Sequence, residues 1–168
     1  MTQSTPFYDV IVGAIAGAMG ARRMVELGTF HGRTTCVLAS IARLTGGHVW
    51  TVDNDREGGV STARANVEAA GFSDVVTFRT ANSDAVWWDG PPVDLVFADA
   101  DHSLEGLRRE WAIWAPVVRR GGVLLVHDTA SHDPATWAAE TFPTEGWTAM
   151  RLPWMHGLLI AVKDQVVA

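Results

Sequence analysis

The sequence predicts a single α/β domain. It should form a doubly wound, mostly parallel sheet of seven strands, with helices on both faces and an antiparallel hairpin at its C-terminal end. Three observations carry this expectation. Short β-type runs alternate with segments whose apolar residues recur near every 3.6 positions, the pattern of strand–helix–strand units. Two further β-type runs then follow one another directly through Pro153-Trp-Met-His-Gly157. Polar, chemistry-bearing residues gather at or just beyond strand ends, the edge at which open parallel sheets hold ligands.

In chain order, the apolar and small-residue stretch Val10–Met19 reads as a packed helix, since it is shorter than the roughly 20 residues that span a bilayer. The strand-like runs are Met24–Leu27, His48–Val52, Val75–Phe78, Val93–Ala98 and Val123–Val126. Helical spacing fills Thr34–Leu44, Val60–Ala70 and Leu104–Val118, placing helices between parallel strands. Thr148–Leu152 and Leu158–Lys163 complete the sheet as the hairpin. No repeat, low-complexity tract or linker divides the 168 residues, so residues 1–168 are expected to be one domain.

Composition narrows the function classes. With 48% hydrophobic residues the chain is long enough to bury a core without disulfides, and Cys36 alone cannot form an internal one. A buried structural thiol and a reducing, cytoplasmic setting are the matching expectations. A net charge of −6 argues against a nucleic-acid surface, which needs massed Lys and Arg. No membrane partner is expected either.

Taken alone, Glu26-Leu-Gly-Thr-Phe-His-Gly32 is a glycine turn through which backbone passes close to a ligand. It lacks the G-x-G-x-x-G spacing of dinucleotide sites, which lowers the case for NAD. Asp53 ends the second strand about twenty-five residues beyond Gly28, where a carboxylate accepts both hydroxyls of a ribose. Together these give a nucleotide-like site.

Val25-Glu-Leu-Gly-Thr-Phe-His-Gly-Arg-Thr-Thr35 resembles motif I of the class I S-adenosylmethionine-dependent methyltransferases, and Val52-Asp-Asn-Asp-Arg-Glu57 their acidic second motif. The likeness continues through Thr80–Asp84, Phe97–Gly106 and Gly121–Thr129, in order, and so covers most of the chain. It implies a Rossmann-like fold and S-adenosyl-L-methionine as cofactor. Glu26, Gly28 and Gly32, with Thr29, Phe30 and Thr34 in the same loop, would surround its methionine part. Asp53 would hold the ribose, and Asn82 and Ser83 would lie beside the adenine, with Asp99 also facing the cofactor.

Within that superfamily, Phe97–Gly106 followed by His127-Asp-Thr129 is most similar to small-molecule O-methyltransferases of the catechol, caffeoyl-CoA and macrocin types. The resemblance implies a small-molecule hydroxyl acceptor, a homodimer as one form of assembly, and a divalent metal such as Mg²⁺ or Mn²⁺. Asp99 and Asp128 match two ligands of that metal. His127 stands where an acid is usual, and imidazole suits Mn, Fe, Ni or Zn better than Mg.

His102, three residues beyond Asp99, matches a candidate general base of the macrolide-sugar enzymes, and its ordinary pKa suits proton removal near neutrality. The competing reading for His102 is a cap on the helix that follows. Asp101 reads either as a helix cap or as a partner that orients His102. His132 and Trp154, with Met155 beside it, are candidate acceptor contacts in the loops after the fifth and sixth strands. Trp111 and Trp114 are expected to pack in the core. Two other functions fit the same residues. One is N- or C-methylation, or a non-methylating reaction on this scaffold. The other is a cofactor-binding accessory subunit without activity, which has no need of the Asp99–His102–Asp128 cluster.

Overall fold

The computed structural model describes residues 7–154 and 156–165. Seven strands form one sheet: β1 Arg23–Leu27, β2 His48–Asp53, β3 Val76–Thr80, β4 Val93–Ala98, β5 Val118–His127, β6 Trp147–Leu152 and β7 Leu158–Lys163. Their order is β3-β2-β1-β4-β5-β7-β6. β1 to β5 are mutually parallel, and β7 runs antiparallel between β5 and β6. The expected doubly wound sheet with its closing hairpin is therefore what the chain forms.

Period-two alternation splits the core into two layers. Met24 of β1, Leu95 and Phe97 of β4, and Val123 and Leu125 of β5 face helices α1 (Phe7–Ala18) and α2 (Arg33–Thr45). Val67 of α3 (Val60–Ala69) joins that layer. Val25, Leu27, Val96, Leu124 and Val126 face the other way, against Leu107 and Trp114 of α4 (Leu104–Val117). β4 is buried at all six positions, as a central strand covered on both faces must be. Trp114 is buried as expected and Trp111 partly so. Cys36 is only partly buried, against the α1/α2 layer.

Two local features depart from the expectation. β5 starts at Val118 rather than Val123, directly after α4. The pairing of Val93 with Val118 is followed by a register shift, and Gly121 takes φ 68° there while a side chain on Gly122 would meet the Asp94 carbonyl. The polar, glycine-containing start thus belongs to a bulged strand. After β5 a short helix, α5 (Asp133–Thr136), and a π-helical turn over Trp137–Thr141 bury Trp137. They are too short to leave a periodic signature. Among the described residues no helix is long and apolar enough to cross a membrane.

Candidate active site

The strand order reverses between β1 and β4, and a cleft of about 670 Å³ opens at their C-terminal ends. β1 leads into Gly28, whose φ of 91° suits glycine and whose missing Cβ would lie 2.2 Å from the Asp99 carbonyl oxygen. Gly28 N–H donates to Val52 O at 2.8 Å and Asp99 N–H to Leu27 O at 2.8 Å, so the ends of β2, β1 and β4 are joined in sequence. Gly32, at φ 76°, caps α2 and lies against Ala63 of α3.

Gly28, Phe30, Asp53, Asn82, Ser83 and Asp99 line the cleft. Glu26, Thr29, Gly32 and Thr34 stand behind it, and the side chains of Glu26, Thr29 and Thr34 are buried. They form a polar network beneath the loop. Thr35 donates to Glu26 Oε2 at 2.5 Å and Thr51 at 2.6 Å, so Thr29, 2.5 Å from the Thr51 hydroxyl, donates to Thr51 in turn. Burial pushes the Glu26 carboxyl up to about 8, against the two threonine hydrogen bonds that oppose it. Asp53 holds the loop from the far side, with Oδ2 accepting the Thr29 and Phe30 N–H groups at 2.8 and 2.9 Å and Oδ1 that of Asp55 at 2.7 Å. Oδ1, with one donor, keeps a second lone pair for a ligand, whereas both of those on Oδ2 are taken by the loop.

Ser83 is fixed from α4: its hydroxyl bonds Glu110 and its carbonyl accepts Trp114 Nε1–H at 2.9 Å. Burial raises Glu110 to about 7, with the serine bond opposing. Arg109 Nε pairs with Asp84 at 2.6 Å, so two adjacent residues of α4 hold the loop after β3. The spacing of these residues carries no local signal.

Beyond β4 and β5 the carboxylates and imidazoles converge. His127 Nδ1 lies 3.0 Å from Asp99 Oδ1 and 3.5 Å from Asp128 Oδ1. His102 Nδ1 lies 2.5 Å from Asp128 Oδ2. Burial opposes the charge on His127, yet its bonds to Asp128 and Asp99 raise it to about 10. Hydrogen bonding to Asp128 raises His102, against desolvation. Burial of Asp128 opposes ionisation, but its two histidine partners hold it far below the usual carboxylate range. Capping of α4 falls to Ser103, whose hydroxyl accepts Gly106 N–H at 3.0 Å. His102 is thereby free of that role. Asp101 accepts the Ser103 N–H at 2.9 Å, and the carboxylate that orients His102 is Asp128.

Two residues of α1 reach this site unannounced. Tyr8, the chain's one tyrosine, lies 4.4 Å from the His127 ring, and buried Asp9 pairs with Arg33 and accepts from Thr34 at 2.9 Å. The acceptor candidates are less engaged. Trp154 is 70% exposed and does not line the cleft, Met155 lies outside the described residues, and His132 is half exposed beside Asp128.

Residues 25–129 match the family described as "Methyltransferase domain". The chain belongs to that family. This methyltransferase domain is 37% identical over 114 residues to a catechol O-methyltransferase of Mycobacterium tuberculosis, an alignment that takes in 67% of the chain and 50% of the relative. The chain thus spans about half the length of that curated relative. Two solved structures share its fold. One is the O-methyltransferase TomG of Streptomyces achromogenes with S-adenosylmethionine bound (TM-score 0.75, 17% identity, 97% of this chain and 82% of that one). The other is an O-methyltransferase of Bacillus cereus with S-adenosylhomocysteine (TM-score 0.73, 22% identity, 96% and 83%). At these identities the likeness speaks for the fold of the methyltransferase domain.

Proposed function

We propose that this chain transfers the methyl group of S-adenosylmethionine to a hydroxyl of a small molecule, with His102 as general base. The observation that carries the reading is the 2.5 Å contact between His102 Nδ1 and Asp128 Oδ2 beside Asp99 at the cleft. A carboxylate on Nδ1–H fixes the tautomer and leaves Nε2 to take a proton. The acceptor oxygen attacks the sulfonium methyl, the carbon–sulfur bond breaks to a neutral thioether, and the hydroxyl proton passes to Nε2. Cofactor placement follows the loop: Glu26, Gly28 and Gly32 around the methionine part, Asp53 on the ribose, Asn82 and Ser83 beside the adenine.

Asp99, His127 and Asp128 also fit a divalent cation, because their ligand atoms all lie within 4.8 Å of one another and two adjacent pairs stand at 3.0 and 3.5 Å. Such spacings are those of neighbouring ligands on an ion bonded at about 2.1 Å. An ion held there would lower the pKa of the acceptor hydroxyl and orient it. Incubation with S-adenosylmethionine and a panel of phenols, catechols and sugar alcohols, read by mass spectrometry, tests the reaction. His102→Ala should lower kcat by about a hundredfold or more at nearly constant cofactor affinity. Cofactor binding with no turnover on any acceptor would instead favour the accessory-subunit reading, and an active His102→Ala would remove the base.

A further inference from the structure

We infer that His102, His132 and Asp128 form a second metal site, selective for zinc-class ions and separate from the Asp99–His127–Asp128 set except for the shared carboxylate. The ligand atoms of the three residues all lie within 4.8 Å of one another. His102 Nδ1 is 2.5 Å from Asp128 Oδ2, and His132 Nε2 is 3.9 Å from Asp128 Oδ1, with the two rings edge to face at 5.5 Å.

The backbone builds this arrangement. Asp128 takes φ 59°, and its carbonyl accepts the N–H groups of Ser131 and His132, so the chain curls back and sets the His132 ring over the Asp128 side chain. His132 stands at the N-cap of α5 but makes no side-chain capping bond there. Asp133 Oδ2 accepts Leu104 N–H at 3.5 Å, which ties the start of α5 to the start of α4 and keeps His132 beside His102.

Two imidazoles and one carboxylate are a borderline-soft donor set, matched to Zn²⁺, Co²⁺ or Ni²⁺ and poorly to Mg²⁺. Both histidine side chains are about half exposed, at 47% and 51%, while Asp128 is 8% exposed. An ion can therefore enter from solvent and keep water in its open positions, with a buried carboxylate as anchor. The ion takes the lone pair of His102 Nδ1, and the ring's one remaining proton then sits on Nε2. His102 so bound has no lone pair for an acceptor proton. On the methyl-transfer reading of the preceding section, zinc is an inhibitor acting at the base.

Equilibrium dialysis of the whole chain against zinc chloride near neutral pH, with excess Mg²⁺, tests the site without any assay of activity. His132→Ala and His102→Ala should each weaken Zn²⁺ binding at this site by about tenfold to a hundredfold or more, and Asp99→Asn, which strips a ligand from the neighbouring set, should leave one zinc bound with an affinity within about threefold. His132→Ala is the decisive variant, since it removes a half-exposed ring, and an unchanged melting temperature will show that it folds. Wild-type affinity in His132→Ala, or an equal loss in Asp99→Asn, overturns the site. Turnover is measured alongside. Zinc that binds with this pattern yet leaves methyl transfer intact keeps the site and refutes His102 as base, so the two failures are distinguishable.

Discussion

Replacing Glu26 with Gln should change the pH dependence of stability by an amount that follows from the geometry beneath the Gly28–Gly32 loop. The carboxyl is wholly buried, accepts hydroxyl hydrogen bonds from Thr35 and Thr51 on one oxygen, and stands at about 8 against an ordinary 4.5. At about 1.4 kcal/mol per pH unit, that difference amounts to about 5 kcal/mol in total. The folded value is the higher one. The stabilisation is therefore complete below pH 4.5, falls as the unfolded chain ionises, and is fully lost only above about pH 8. Between about pH 4.5 and pH 7 the folded group stays largely protonated, and roughly 3 kcal/mol of it disappears. Gln keeps the acceptor oxygen and cannot ionise. Urea unfolding of both proteins across this range should give a stability difference that drifts by about 3 kcal/mol, with the wild type losing ground as pH rises. Taking the difference cancels the titrating groups that are not coupled to Glu26. A difference that stays constant would mean that Glu26 ionises normally in the fold, and the account of a neutral carboxyl under the loop would fail.

Asp53→Ala should abolish most of the melting-temperature rise given by S-adenosylhomocysteine, which at a hundredfold excess over Kd is worth about 2.7 kcal/mol in the wild type; an undiminished rise would move the ribose elsewhere. Activity should fall on exhaustive chelation and return with Mn²⁺ at least as well as with Mg²⁺, given imidazole at position 127. Full activity in the chelated enzyme would leave the base to work alone. Gly28→Ala should destabilise the fold by about 2 kcal/mol or more, since a Cβ at φ 91° would meet the Asp99 carbonyl. Chemical denaturation at neutral pH measures this, and an unchanged midpoint would show that the two strand ends move apart freely.

Much of the sheet was legible because burial writes itself into short, mostly apolar runs: β4, buried at every position, and β7, partly buried, have the bounds that the residue pattern predicts. Strand ends were legible for the same reason, and with them Asp53, Asp99 and Asp128. What stayed hidden was pairing across distance. That Asp128 rather than Asp101 grips His102 depends on how β4 and β5 lie side by side, and neighbours in sequence compete for the same assignment until they do. Tyr8 and Asp9 were invisible as site residues, because the apolar stripe of α1 reports only which face packs. The clamp of Glu110 on Ser83 spans 27 positions and rests on two helix residues that look like any charged pair.

The contact of Gly28 with the Asp99 backbone has a bearing on how such a protein is altered. Loop and acid are set in one rigid frame, so a change made to re-aim one would drag the other. Trp154 stands outside that frame, away from the cleft. On the methyl-transfer reading, changes meant to admit a new acceptor therefore belong at residues outside that frame, where a side chain such as Trp154 is already open to solvent.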